Sequence, residues 1–174
     1  MALVLLDRVL AQGVISYHMG GWPPPLGIEY RIDVLNAYVL VIVSGIASVV
    51  LPFGIEGAAL RIPRERYYLF YTAFLLCLTG LLGIVSTGDL FNVFVFLEIA
   101  SLSSYVLISM GRSRRALTAA FGYLVMGTIG STFILIGIGL SYMMTGTLNI
   151  TDLAERLRAG DSGLLSGFLG YLFR

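Results

Sequence analysis

The feature that most constrains this chain is an uncharged, apolar stretch that runs from Ala116 to Ile150. A helix needs about 20 apolar residues to cross the hydrocarbon core of a bilayer, and this stretch exceeds that length. We place the helix itself at Leu117 to Met144. Three further apolar blocks lie at 34–55, 67–88 and 90–111; the first two are uncharged, and the third contains one ionisable residue, Glu98. The pattern predicts an all-α membrane protein.

The two ends of the chain give weaker signals. Residues 2–19 are apolar but interrupted by Asp7 and Arg8, so they predict a less certain first span. Residues 163–173 are an apolar segment too short to cross a bilayer, and they predict a partial sixth helix that is cut off or re-entrant. We therefore expect about five transmembrane helices plus a partial sixth, in a single transmembrane domain over 1–174. No cleavable signal peptide is expected, because no basic segment precedes the apolar residues after Met1.

Composition excludes several classes of function. Only 12% of the residues are charged and the formal net charge is +1, so no basic surface for nucleic acid is expected. A single cysteine, Cys77, cannot form an internal disulfide. The chain has no Ser-His-Asp grouping, Cys/His metal spacing or phosphate-binding loop. We therefore expect no catalytic centre, no cofactor and no metal site of its own.

The loops predict how the helices are oriented. Two loops on one side of the predicted membrane contain six arginines, and the opposite loops carry most of the acids. Because cytoplasmic loops are enriched in basic residues, the arginine-rich side is predicted to be cytoplasmic, together with the N-terminus. These arginines are Arg61, Arg64, Arg66, Arg112, Arg114 and Arg115.

Two outer loops carry structure of their own. Between 20 and 33, prolines are followed by alternation of apolar Ile28, Tyr30 and Ile32 with charged residues, which predicts a short β-hairpin on the membrane surface. Farther along, Asn149 is expected to cap a short interfacial helix that ends at Gly160.

One ionisable residue lies well inside a predicted span. Placing a carboxylate at that depth costs about 3 kcal/mol, so membrane proteins rarely keep one without a use. That residue is Glu98, and helical spacing places Ser101, Tyr105 and Ser109 on its face. Their hydroxyls are expected to form a proton relay with the glutamate. The alternative is that Glu98 only accepts hydrogen bonds from a neighbouring helix and fixes packing.

Two weaker candidates lie at the outer side. His18 is the only histidine of the sequence and a candidate for proton transfer, but it is expected at the outer end of the first helix, where a boundary role is the preferred interpretation. Asp89 follows a tight turn and is expected to cap the next helix, with a role in proton exit as the second interpretation.

The run from Thr87 to Tyr105, TGDLFNVFVFLEIASLSSY, resembles the fifth transmembrane helix of the antiporter-like subunits. Mrp-type sodium/proton antiporters, membrane-bound hydrogenases and respiratory complex I share these subunits. The stretches 20–33 and 142–153 resemble the same family, closest to its Mrp antiporter and hydrogenase branch. The resemblance implies a bundle of two inverted five-helix repeats, in which a glutamate of helix five works with lysines of helices six and seven to move protons. Glu98 matches that glutamate.

Two departures from the family pattern stand out. Gly122 occupies the position before Tyr123 where family members commonly carry a lysine, and the chain contains no lysine at all. The chain also matches only the family's helices two to the start of seven. We therefore expect either a fragment or a split subunit, with a second chain supplying the rest of the fold and the cation of the relay.

The residues and the resemblance together predict a proton or sodium translocation subunit of a multi-subunit membrane complex. The resemblance also implies the multi-pass plasma membrane of a prokaryote and other membrane subunits as partners. Two alternatives remain open. In the first alternative to ion translocation, the chain is a non-transporting scaffold. In the second, it is a membrane-arm subunit of a complex I-like quinone oxidoreductase or hydrogenase, without a redox centre of its own.

Overall fold

A computed structural model describes residues 1–24, 27–111 and 113–159. Within these ranges the chain forms six helices and one antiparallel pair of strands, joined in places by single 3-10 turns. In chain order they are α1 (Ala2–Gln12), β1 (Ile15–His18), β2 (Glu29–Ile32), α2 (Val34–Arg61), α3 (Tyr67–Ser86), α4 (Leu90–Ser109), α5 (Arg114–Thr145) and α6 (Ile150–Ala159).

Helices α2 to α5 correspond to the four clearest apolar blocks. Each contains a segment long and apolar enough to cross a membrane, and these segments are Val34–Gly54, Arg64–Ser86, Leu90–Ser109 and Arg114–Thr145. Between 11% and 17% of the most apolar window of each segment is buried inside the chain. Most of the remaining apolar side chains are thus free to contact lipid or other helices, which confirms the prediction of a helical membrane protein.

The N-terminal region differs from the predicted first span. Helix α1 has 11 residues, and it ends at Gly13, whose φ of 84° is not helical. Eleven residues rise about 16 Å, roughly half of the hydrocarbon thickness. Residues Ile15–His18, which we expected to continue the helix, form β1 instead. The predicted partial sixth helix at 163–173 lies outside the described residues.

The hairpin predicted between 20 and 33 is confirmed for its second strand. Strand β2 pairs antiparallel with β1, with Ile15 opposite Ile32 and His18 opposite Glu29. The first strand therefore lies ahead of the predicted segment. This hairpin lies at the end of the bundle that carries the α3–α4 turn and the α5–α6 corner, which we call the hairpin end.

The helices pack mainly against their neighbours in sequence, and the most extensive contact is between α3 and α4. Gly80 and Gly83 of α3 lie directly against α4. A Cβ at residue 80 would meet the backbone nitrogen of Ala100 at 2.7 Å, and a Cβ at residue 83 would overlap the ring of Phe96. Small residues allow this close contact, as is common between membrane helices. The face of α4 that bears Phe96 and Ala100 is therefore covered by α3.

Side chains near the hairpin end define the starts of two helices as predicted. Asp89 caps α4 by accepting a hydrogen bond from the backbone N–H of Asn92 at 2.8 Å. Asn149 caps α6, because its Oδ1 accepts from the backbone N–H groups of Thr151 and Asp152 at 3.0 and 3.1 Å. Both predicted caps are confirmed. The predicted end of α6 at Gly160 lies outside the described residues.

Candidate functional site

Glu98 lies near the middle of α4, on the side that faces away from α3. It is two residues from both Phe96 and Ala100, and two residues turn a helix by about 200°, so its side chain points opposite to the face that α3 covers. The residue is half-buried. Among the residues that the structure describes, none forms a hydrogen bond with its carboxylate. The acid is thus available for a proton or for a partner outside these residues.

Tyr105 lies on the same side of α4, seven residues after Glu98. Its side chain is buried, with 8% of its surface exposed. The ring packs edge-on against Tyr123 of α5 at a centroid distance of 5.5 Å, and the hydroxyl lies against the backbone of Gly127. Because Glu98 and Tyr105 share a face, this contact places the glutamate on the side of α4 where α5 packs.

The two serines predicted on this face differ in their contacts. Ser109 donates a hydrogen bond to the carbonyl of Val106 at 2.7 Å, one turn back along its own helix. The half-buried Ser101 has no hydrogen bond from its hydroxyl to another described residue. Ser101 lies about 4.5 Å along the axis from Glu98, whereas Tyr105 lies about 10 Å away. Ser101 is therefore the hydroxyl adjacent to the acid, and Tyr105 is too far for direct contact.

Ser131 of α5 carries a further hydroxyl on the seam, the name we give to the contact between α4 and α5 around Tyr105 and Gly127. From the sequence we predicted only a packing role for this residue. It is buried, with 9% of its surface exposed, and it lies one helical turn from Gly127 toward the hairpin end. Because α4 and α5 run antiparallel, that direction leads from the level of Tyr105 to the level of Glu98. The α5 residues that face α4 could not be identified from the sequence, because that requires knowing how the two helices are aligned along their axes.

Gly122 lies far from Glu98. Tyr105 of α4 and Gly127 of α5 are in contact and mark the same level of the bundle. Gly122 lies five residues from this level toward the end opposite the hairpin, and Glu98 lies seven residues from it toward the hairpin end. At 1.5 Å per residue the separation along the axis is about 18 Å. A lysine at residue 122 would thus lie near the far end of α4 and would not contact the glutamate. The glycine at this position therefore leaves the surroundings of Glu98 unchanged.

A second polar group, which the sequence did not single out, lies at the hairpin end. Six polar residues are buried there, each with less than a tenth of its surface exposed. We call them the hairpin-end cluster: Glu29, Thr87, Asp89, Thr145, Thr147 and Asn149. They come from β2, from the α3–α4 turn and from the α5–α6 corner, so the cluster joins three parts of the chain.

Glu29 is the centre of this cluster. One carboxylate oxygen accepts a hydrogen bond from the hydroxyl of Ser16 at 2.5 Å, and the other accepts from the side-chain amide of Asn149 at 2.6 Å. Burial raises the pKa of the Glu29 carboxyl, but these two hydrogen bonds and the nearby charges of Arg31 and His18 outweigh it, so the pKa lies below its ordinary value. Glu29 is therefore a buried, ionised acid at the hairpin end.

Backbone hydrogen bonds hold the α3–α4 turn between β2 and the α5–α6 corner. The N–H of Gly88 donates to the carbonyl of Glu29 at 2.8 Å, and the carbonyl of Gly88 accepts from the N–H of Ile150 at 2.9 Å. On the same face of β2, the guanidinium of Arg31 donates to the hydroxyl of Thr151 at 3.0 Å. The turn that starts the Glu98 helix is thus fixed from both sides.

The two weaker candidates also lie at this end. His18 is in β1, opposite Glu29, rather than at the end of a helix as we expected, because the chain has already left α1 at Gly13. Its Nε2 lies 3.4 Å from the hydroxyl of Ser16, which in turn bonds Glu29. Asp89 is occupied as the cap of α4. Within the described ranges, no group of three or more His, Cys, Asp or Glu side chains is arranged to hold a metal ion.

Comparison with known proteins places this arrangement in a family. Residues 87–173, which include the cap Asp89 and Glu98, match the family described as NADH:quinone oxidoreductase/Mrp antiporter, TM. The chain belongs to this family. The resemblance found in the sequence is therefore confirmed.

Several members of the family are similar over most of the chain. NADH-quinone oxidoreductase subunit N of Desulforudis audaxviator is 48% identical over 160 residues, which are 90% of this chain and 31% of that protein. A Staphylococcus saprophyticus protein named as antiporter subunit mnhD2 is 38% identical over 92% of this chain and 31% of its own length. The chain thus spans about a third of the curated relatives that it matches.

Solved structures show the same fold. The archaeal membrane-bound sulfane sulfur reductase, a respiratory membrane complex, contains a chain that superposes with a TM-score of 0.73 at 37% identity, over 88% of this chain and 31% of that chain. A chain of the Mrp complex from a Dietzia species superposes with a TM-score of 0.76 at 29% identity, over 85% of this chain and 28% of that chain. Both solved structures are membrane complexes, and the matching chains are parts of them.

Proposed function

We propose that this chain is an ion-translocating subunit of a multi-subunit membrane complex, with Glu98 as its mid-membrane proton acceptor. The observation that carries the proposal is the isolation of this residue. In the four spanning segments, Glu98 is the only Asp, Glu, Lys or Arg that lies away from the segment ends. A carboxylate at such a depth costs about 3 kcal/mol, and family membership supports ion movement as its use.

The surroundings of Glu98 suit a carboxyl group that gains and loses a proton. The described residues leave its oxygens without a hydrogen bond, whereas Glu29 at the hairpin end is held ionised by two. A carboxylate fixed by strong donors keeps its charge, but one without fixed donors responds to a cation that approaches or leaves. Glu98 and Glu29 therefore have different roles: Glu98 exchanges protons, and Glu29 holds structure.

The cation that drives this exchange comes from outside the described residues. The chain has no lysine, and arginine stays protonated at all relevant pH values. We infer that a lysine from a second polypeptide, or from further residues of the same antiporter-like unit, faces the α4–α5 side of Glu98. The single domain over 1–174 would then be one part of a larger helix bundle, next to other subunits of the complex.

The arginine distribution supports a defined orientation in the plasma membrane of a prokaryote. Arg64, Arg66, Arg114 and Arg115 lie at the end of the bundle opposite the hairpin. By the positive-inside rule that end is cytoplasmic, which puts the hairpin end outside and points the start of α1 toward the cytoplasmic side. The names of the relatives refer to different reactions, quinone reduction in one and antiport in the other. The proposal therefore covers only ion translocation and not the reaction that drives it.

The test compares Glu98→Gln with the matched control Glu155→Gln in the assembled complex. Both changes remove one carboxylate, but Glu155 is exposed on α6. Loss of ion movement in Glu98→Gln alone, with normal assembly of both variants, supports the proposal. Normal ion movement in Glu98→Gln would favour the scaffold alternative.

A further inference from the structure

Helix α5 contains a notch at Gly127 that is filled by the hydroxyl end of Tyr105. A Cβ at residue 127 would overlap that hydroxyl and would lie 2.8 Å from the Cζ of the ring. The other α5 glycines have no neighbouring atom within 4 Å of the position that a Cβ would take, and they are Gly122, Gly130, Gly137 and Gly139. Gly127 is therefore the α5 glycine whose missing side chain is used within the described residues.

The group in the notch is a polar atom, which simple packing does not require. Phenylalanine would fill the space of the ring without bringing an oxygen into the helix interface. The hydroxyls of Ser103 and Ser104 on the same helix donate to carbonyls one turn back, at 2.7 and 2.8 Å. The Tyr105 hydroxyl has no such bond to any described residue. Although most of the Tyr105 side chain is buried, its oxygen is not fully enclosed by the described residues, so this hydroxyl is expected to bond a mobile partner such as water.

The notch also fixes where this hydroxyl lies relative to Glu98. The two residues share one face of α4, and about 10 Å separate them along the axis. The half-buried Ser101 lies between them on α4, and the buried Ser131 lies one turn away on α5. The Ser131 hydroxyl donates to the carbonyl of Thr128 at 3.2 Å, so Ser101 is the hydroxyl that the described residues leave without a hydrogen bond between the acid and the notch.

We propose that Gly127 is a positioning residue that places the Tyr105 hydroxyl as a proton carrier between Glu98 and the end of the bundle opposite the hairpin. This inference rests on the proposed function of Glu98. In each transfer the phenol oxygen accepts a proton from a hydrogen-bonded water on one side and releases its own proton to water on the other. The phenol is unchanged afterwards, and no other co-reactant is needed.

The experiment uses the complete complex, reconstituted into vesicles with a trapped pH-sensitive dye and driven by an imposed membrane potential. Five variants are compared with the unaltered complex, and each is measured for proton movement, assembly and thermal stability. The variants are Tyr105→Phe, Gly127→Ala, the two combined, the control Gly130→Ala, and Glu98→Gln.

The expected results distinguish an effect of the hydroxyl's position on proton movement from an effect of helix packing on thermal stability. Tyr105→Phe slows proton movement by about tenfold to hundredfold, the loss typical of a misplaced reacting group, and keeps thermal stability. Gly127→Ala slows it to the same extent and also lowers thermal stability. Adding Tyr105→Phe to Gly127→Ala restores part of the thermal stability, because the overlapping oxygen is gone while the ring carbon Cζ still lies 2.8 Å from the new Cβ, but it leaves proton movement slow. Gly130→Ala matches the unaltered complex.

Two results would overturn the inference while leaving the role of Glu98 intact. One is normal proton movement in Tyr105→Phe, and the other is recovery of proton movement together with stability in the double variant. Either result, with Glu98→Gln inactive, assigns Gly127 to packing alone. Normal movement in Glu98→Gln would instead overturn the proposed function itself.

Discussion

The side-chain amide of Asn149 donates a hydrogen bond of 2.6 Å to the carboxylate of Glu29, across 120 positions of the sequence. Both residues are buried, with 5% and 6% of their surfaces exposed. The bond connects the hairpin to the α5–α6 corner, and the α3–α4 turn is held between them. The start of the helix that carries Glu98 is thereby tied to two distant parts of the chain.

Replacing Asn149 alone should break this bond, and replacing Glu29 as well should restore it with donor and acceptor exchanged. Asn149→Asp keeps the oxygen that caps α6 but sets a second carboxylate against Glu29, so we expect a loss of about 2 kcal/mol in the free energy of unfolding. Adding Glu29→Gln returns an amide donor opposite the new acid and should recover at least half of that loss. Thermal unfolding followed by circular dichroism in detergent measures it. A double variant no more stable than Asn149→Asp would show that the bond contributes little.

The charge of Glu29 also predicts how stability depends on pH. Its pKa in the folded chain lies below the ordinary value of 4.5, so the ionised form is favoured by folding. The stabilisation is fully present above about pH 5 and is lost as the pH falls through the folded pKa. We expect the stability difference between the unaltered chain and Glu29→Gln to shrink as the pH falls below about 5. Melting temperatures across this range test the prediction, and a difference that grows in acid contradicts it.

The contact between α3 and α4 predicts a position-specific effect of alanine. Gly83→Ala would overlap the ring of Phe96 and should destabilise the chain by about 1–3 kcal/mol. Gly45→Ala is the matched control, because Gly45 is also within a spanning helix but has no atom within 4 Å of a Cβ. Melting temperatures of the two variants compare them directly. Equal stability would mean that α3 and α4 do not approach as closely as described.

Asp89 offers a test that separates capping from proton transfer. Asp89→Asn keeps an oxygen that can accept from the N–H of Asn92, so stability and ion movement should both stay close to normal. Asp89→Ala removes the cap and should cost about 1 kcal/mol. Proton movement in vesicles and thermal unfolding are measured for both. Slow proton movement in a stable Asp89→Asn variant would instead assign Asp89 to the exit of the pathway.

The sequence predicted the parts of the structure that depend on local pattern. Four spans follow from apolar length, and the caps at Asp89 and Asn149 follow from a polar residue that directly precedes a helical pattern. The alternation in β2 also placed Glu29 and Arg31 on one face, and both contact the segment from 149 to 151. That partner segment could not be predicted, because the contact depends on a distant corner of the fold.

The first strand was missed for a related reason. Residues 15–18, Ile-Ser-Tyr-His, alternate apolar and polar side chains over only four positions next to an apolar helix, and so short a segment is compatible with either helix or strand. Only the pairing with β2 decides between them. The wrong helix assignment also misplaced His18, which lies opposite Glu29. Likewise, the notch between Tyr105 and Gly127 depends on the register of two helices, which apolar length does not determine.

Proton movement in vesicles that contain the Glu98→Gln complex is the most direct test of the central claim. Glutamine keeps the size of the side chain but cannot exchange a proton, and Glu155→Gln controls for the loss of one carboxylate elsewhere. With assembly verified for both, the account predicts no potential-driven proton movement in Glu98→Gln and a normal initial rate in Glu155→Gln. A normal initial rate in the assembled Glu98→Gln complex would contradict it.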